Sequence, residues 1–383
     1  MEVSIFLRSW QPVGMRRSLD LFIHFDWSLL LAATTLTVIG LLSIYGIGIS
    51  NGTADLFQFK KQLIAATIGL ALVFGAVFLD YRQIKPFALW LYGAGAAILV
   101  AVLVFGSTIR GMRGWFIVGR LSFQPVEVAK VAFAIFLASY LSRHAHKRLG
   151  WIPFIGSGVA AAGYVGLVML QPDLGSAFVM IAMWFVTVIF VGLPRRAWVL
   201  LLIGAATAGT LLWTVGLKPY QRDRLISFVQ PTADPRGAGY NVMQARIAIG
   251  SGGLFGKGIG EGSQARLRFL PEASTDFMFS VLGEELGFVG LGIVLALFGL
   301  LLVRFIRIAE TSADPFSQIL LVALVANITF HLIVNAGMNL GVMPVTGIPL
   351  PFVSAAPSSL LVAFVIIALA QSVAARRQPA AFR

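Results

Sequence analysis

Runs of about twenty residues with almost no charge recur along this chain, and each is long enough to cross a hydrocarbon core of ~30 Å as a helix. No water reaches the backbone inside a bilayer, so spanning segments must satisfy their own N–H and C=O groups. The first such run follows a stretch bearing Arg8, Arg16 and Arg17 and reads as a retained first span rather than a cleavable signal. Ten spans can be read, at 26–47, 61–79, 86–106, 127–142, 152–170, 174–192, 196–216, 277–305, 316–340 and 352–374. Hydrophobic residues make up 58% of the chain and charged ones 12%, half the charged share of a soluble domain (about a quarter). The expected fold is an all-α integral membrane protein with about ten transmembrane helices. It forms a single polytopic unit over 1–383, with one long loop at 217–276 between spans seven and eight.

Lys and Arg set the orientation. With the N-terminus inside, fifteen of the twenty-nine fall in cytoplasmic segments, six lie in or beside short outer loops, and eight lie in the long loop. Long loops weigh little in the positive-inside rule, so both termini are expected to be cytoplasmic. The net charge of +13 then reflects topology and contact with anionic membrane lipid rather than nucleic acid. Zero cysteines exclude disulfides and thiolate metal sites, and His24, His144, His146 and His331 show no metal-ligand spacing.

In this orientation the unusual polar stretches all face outward: 109–130, QPDLGSA at 171–177, the long loop, and PVTGIPLPF at 344–352. The loop carries Arg222, Arg224, Lys257, Arg266 and Arg268 among its eight basic residues. An excess of cations beside a membrane face suits an anionic headgroup such as a pyrophosphate, which Arg grips with two donors. A solvated loop touching bulk phospholipid explains the same charge equally well. The sequence GSGGLFGKGIGEG is not a nucleotide loop, because Ser251 replaces the first glycine of that motif and Gly258 follows Lys257.

The sixteen acids of the chain are also unevenly placed: Glu272, Asp276, Glu284 and Glu285 gather just before an uncharged run from Leu286 to Val303. That run makes roughly 27 Å of helix, which sets Glu285 near the membrane boundary. A straight helix would carry Asp276 about 13 Å further out, on a face shared with Ser280, Gly283, Gly287 and Gly290. Asp276 is then either a base or cation ligand in a lipid-headgroup cleft, or an N-cap or first-turn acid favoured by the helix dipole, with Thr275 an equally good cap. Glu127 and Lys130 lie one turn apart and can pair, and such an intramembrane pair is as readily structural as functional. Asp173 reads as the cap of the following helix, and Asn327, His331 and Asn335 as one protein-facing stripe.

Several of these stretches together resemble the RodA/FtsW/SpoVE (SEDS) family of bacterial cell-wall polymerases. They are FQPVEVAK at 123–130, QPDLGSA at 171–177, the segment 220–272, TDFMFSVLGEELGF at 275–288 and NLGVMPVTGIPLPF at 339–352. They occur in the family's order over nearly the whole chain, and GAGYNV at 237–242 looks more like the RodA branch. The chain departs from the family pattern at Gly114, Val126, Ser274 and the Ala356–Pro357 pair.

The resemblance implies a peptidoglycan glycosyltransferase of the bacterial cytoplasmic membrane that polymerises lipid II into β-1,4 glycan for elongation and rod shape. Its implied partners are lipid II, the growing lipid-linked glycan and a class B penicillin-binding protein, a transpeptidase. It further implies Asp276 as the catalytic base, with Glu127 and Lys130 in a second motif. Glu127, Lys130, Arg113, Arg222, Arg224, Lys257, Arg266 and Arg268 are candidates for holding substrate, and a divalent cation such as Mg2+ or Mn2+ is a candidate helper. Two other readings remain open: a flippase or transporter of a polyprenyl-linked sugar, and an inactive scaffold for the transpeptidase. A flippase needs polar residues through both halves of the membrane.

Overall fold

The structure, a computed structural model, describes residues 24–50, 56–109, 111–144, 149–193, 196–211, 213–214, 217, 219–229, 237–267 and 269–376. Among them, nine helices are long and apolar enough to cross a membrane. They are α1 (Trp27–Ser50), α2 (Phe57–Ala76), α3 (Ala88–Phe105, entered by a 3-10 turn at Tyr81–Phe87), α4 (Pro125–Ser142), α5 (Trp151–Leu170) and α6 (Leu174–Val191). After a tenth apolar helix, α7 (Ala197–Leu211), come α8 (Pro219–Val229), α9 (Ala238–Ser251) and the single turn α10 (Ser263–Arg266). The last three spans are α11 (Met278–Glu310), α12 (Pro315–Leu340) and α13 (Pro357–Ala374). The chain is an all-α, multi-pass membrane protein. Of the span read at 196–216, α7 covers Ala197–Leu211, and the expected 352–374 span starts later because 352–356 form a turn.

The helix ends follow local chemistry. Proline opens α4, α12 and α13, where its missing N–H costs nothing. Asp173 caps α6 by accepting from Ser176 N at 2.9 Å, and Asp314 caps α12 by accepting from Phe316 N at 3.2 Å. Gly341, in the left-handed region, ends α12.

Helices α4 and α13 are the most deeply buried of the spans. The first packs on α3 and α12, the second on α2. Glu127 and Lys130 weaken the span signal of α4 in sequence, yet both side chains face protein. Asn327, His331 and Asn335 are likewise buried on α12, as their spacing leads one to expect.

Two features have no counterpart in the span reading. Residues 107–123 form a small antiparallel sheet of β1 (Ser107–Ile109), β2 (Met112–Val118) and β3 (Leu121–Phe123). The long loop contains α8, α9 and α10, and α9 packs along α11.

The straight helix expected through Asp276 is not formed. Helix α11 begins at Met278, with Phe277 as a cap that makes no side-chain bond, so neither Asp276 nor Thr275 caps it. Gly287 then leaves helical geometry (φ 69°, ψ −168°) and splits α11 into two segments. Its neighbours explain the break, since Leu254 and Gly256 of the loop back directly against it. The loop is pinned there by both acids. Glu284 accepts from Lys257 Nζ at 2.7 Å, Ser263 Oγ at 2.9 Å and Gln264 N at 3.1 Å, while Glu285 accepts from Gly260 N at 2.9 Å.

Candidate active site

A cavity of about 450 Å³ opens at the end of the bundle where the sheet, the start of α6 and residues 344–359 converge. That volume lies within the range of small-molecule sites. Its lining includes Asp276, Glu272, Glu127, Asp173, His331, Lys61 and Arg224, together with Gln58, Trp115, Gln124, Gln221 and Thr346.

Asp276 is held there through its backbone. Three consecutive carbonyls accept hydrogen bonds from α12 and the turn before α13. Ser274 O accepts from Ala355 N at 2.7 Å, and Thr275 O from Ser354 Oγ at 2.6 Å. Asp276 O accepts from Asn335 Nδ2 at 3.0 Å and Asn339 Nδ2 at 3.1 Å. Asn339 is itself oriented by Ser280, whose N–H and hydroxyl both donate to its Oδ1. Satisfied polar networks of this kind fix one geometry. Gly347, at φ 79°, passes so close that an added Cβ would lie 3.5 Å from Asp276 Oδ2.

Deeper in the cavity wall, Lys130 Nζ lies 2.8 Å from Glu127 Oε1 and 2.8 Å from His331 Nε2. Asp173, just outside its span, faces this group. Burial pushes its carboxyl above the usual range, against the lowering effect of Ser176 and Lys130.

Of the residues singled out in sequence, the cavity gathers Asp276, Glu127 and Arg224, with Lys130 directly behind Glu127. The other basic candidates lie elsewhere. Arg113 donates to Gly106 O at 2.9 Å and Val104 O at 2.7 Å, closing the end of α3. Arg222 bonds Thr214 O at 3.0 Å, Lys257 is the loop latch on Glu284, and Arg266 pairs with Glu261 at 3.3 Å on the surface. Arg268 falls outside the described residues. Sequence reasoning missed Lys61 and Gln58, which start α2 with no motif around them. It treated Asp173 and His331 as a cap and a packing residue, although the motifs at 171–177 and 344–352 already marked their surroundings.

Among the described residues no cluster of three or more His, Cys, Asp or Glu side chains is placed to hold a metal ion. The donor set therefore does not amount to a built divalent site. What the arrangement offers is a carboxylate on a clamped backbone, able to take a proton from a hydroxyl, in a cavity that Lys61 and Arg224 also line as counter-charges for an anion.

Fold and site together define a multi-pass helical membrane protein with a polar, carboxylate-bearing cavity at one end of its bundle. The chain belongs to the FtsW/RodA/SpoVE family, whose model, described as a cell cycle protein, matches residues 25–378. It is 31% identical to the peptidoglycan glycosyltransferase RodA of Treponema pallidum, over 92% of this chain and 98% of that one. It is 34% identical to the peptidoglycan glycosyltransferase MrdB of Escherichia coli K12, over 93% and 95%. Its fold matches a chain from work on the structural coordination of polymerization and crosslinking by a peptidoglycan synthase complex. The TM-score is 0.78 at 33% identity, over 92% of this chain and 98% of that one.

Proposed function

We propose that this chain, a peptidoglycan glycosyltransferase serving cell elongation, joins lipid II units in the cavity around Asp276. The observation that carries this reading is the clamp on the main chain of residues 274–276, which sets where the Asp276 side chain enters the cavity. Asp276 accepts the proton of the acceptor sugar's 4-hydroxyl as that oxygen attacks the anomeric carbon of the lipid-linked donor. The bond to undecaprenyl pyrophosphate breaks, the electron pair leaves with the pyrophosphate, and inversion gives the β-1,4 link. Arg224 and Lys61 are placed to meet the charge developing on that leaving group. Arg113, Arg222, Lys257 and Arg266 support the fold around the site.

The same reading places the chain in the bacterial cytoplasmic membrane with both termini cytoplasmic and the cavity on the outer face. The synthase complex containing the similar chain supports a partnership with a crosslinking enzyme, a class B transpeptidase.

This chain lacks cysteine, so Asp276→Cys and Thr346→Cys variants report access directly. Both should react with a membrane-impermeant thiol reagent from the periplasmic side alone, and lipid II should suppress the reaction. Labelling of position 276 from the cytoplasm would instead indicate the alternating access of a flippase.

A further inference from the structure

His331 takes no part in the chemistry above, yet its buried side chain lines the cavity. An ammonium has three N–H donors and no acceptor. The 2.8 Å contact from Lys130 Nζ to His331 Nε2 is therefore a donation from lysine, and Nε2 carries no proton. The ring proton sits on Nδ1, which faces Pro349 O at 3.4 Å. One helical turn further along α12, Asn335 Nδ2 donates to Ile348 O at 2.7 Å and also to Asp276 O at 3.0 Å. One face of α12 thus holds the consecutive carbonyls of Ile348 and Pro349, in the segment whose Gly347 lies against Asp276 Oδ2. The other edge of the His331 ring holds the Lys130 ammonium against Glu127 on α4.

We propose that His331 is a positioning residue for glycan polymerisation: as the neutral, Nδ1-protonated tautomer it fixes Lys130 on one side and the 346–349 segment beside Asp276 on the other. The proposal rests on the reading that sugars are joined at Asp276. Its role needs one acceptor and one donor at opposite ends of a planar group, and not an imidazole as such. A glutamine amide supplies both, whereas a leucine of similar bulk supplies neither and leaves the Lys130 ammonium short of a partner.

The test compares full-length parent, His331→Gln, His331→Leu and Asp276→Asn in lipid II polymerisation with the transpeptidase partner present. Loss of positioning should lower kcat of His331→Leu by about tenfold or more, with KM for lipid II within about twofold of parent. His331→Gln should recover most of that loss. Nitrogen-15 shifts of the imidazoles, only four per chain, supply a readout that needs no leucine variant. The signal lost in His331→Gln should be that of a neutral, Nδ1-protonated ring. Equal impairment of the two variants, parent-like activity in His331→Leu, or an imidazolium or Nε2-protonated signal would each overturn the assignment. If Asp276→Asn is inactive while His331→Leu is fully active, only the role of His331 fails. If Asp276→Asn polymerises normally, the site reading itself fails.

Discussion

Lys130 joins α4 to α12, its ammonium lying 2.8 Å from Glu127 Oε1 and 2.8 Å from His331 Nε2. Its three-residue spacing from Glu127 is visible in the sequence and implies a pair on one helix, and the pair forms with both side chains almost wholly buried. The third member, His331, lies 201 residues away in the chain, a distance across which spacing carries no information. The same holds for Asp276. Its carboxylate stands out by composition, but the Asn335, Asn339 and Ser354 side chains that hold the main-chain carbonyls of residues 275 and 276 belong to a different part of the chain. Removing one charge of a buried pair strands the other. Lys130→Met should therefore destabilise the protein by about 3–5 kcal/mol, and pairing it with Glu127→Leu should recover part of that loss. Thermal unfolding of the purified variants in one detergent measures this. A double variant less stable than Lys130→Met would show that the pair is not the coupled unit described here.

At the level of elements, every span of the sequence reading has a helical counterpart, because length and apolarity alone set that signal. The geometry within spans is less legible. A straight α11 would put Ser280, Gly283, Gly287 and Gly290 under Asp276, but Gly287 breaks the helix where the loop backbone packs on it. Glu284 and Glu285 gather near Asp276 in sequence for a different reason: they bind the loop, and only Glu272 joins Asp276 at the cavity. The three-stranded sheet went unread because β1 and β3 are three residues each, too short for alternation to register. Gly287 and Gly292 lie on the same helix in opposite circumstances. A Cβ at Gly287 would meet Gly256 N and lie 2.7 Å from the Leu254 carbonyl carbon and oxygen, whereas one at Gly292 meets nothing within 4 Å. Gly287→Ala should cost about 2 kcal/mol or more. Gly292→Ala should be neutral or stabilising by up to about 1 kcal/mol. Thermal melts of the two variants, with hydrogen exchange over residues 252–264, read the difference. Equal melts would contradict the packing of the loop against the kink.

Across the whole molecule, the two ends of the bundle are built for different purposes. At the end away from the cavity, Asp26 receives Arg304 Nη2 and Nε, and its backbone exchanges two hydrogen bonds with Gln371, tying the first helix to α11 and the last. Burial raises the Asp26 carboxyl, but bonds from Arg304, Ser28 and Leu29 outweigh it and hold the group below its usual range. At the other end, seven segments of the chain turn their polar groups into one cavity. Among these groups Asp276 has the backbone clamp and the access that a general base needs. The measurement that bears most directly on this is glycan synthesis from lipid II by purified protein with the proposed transpeptidase partner added, under moenomycin to silence contaminating polymerases that it inhibits. Parent protein should yield long glycan strands. Asp276→Asn, with an unchanged melting temperature and unchanged partner binding, should yield none, and strands of normal length from that variant would contradict the assignment.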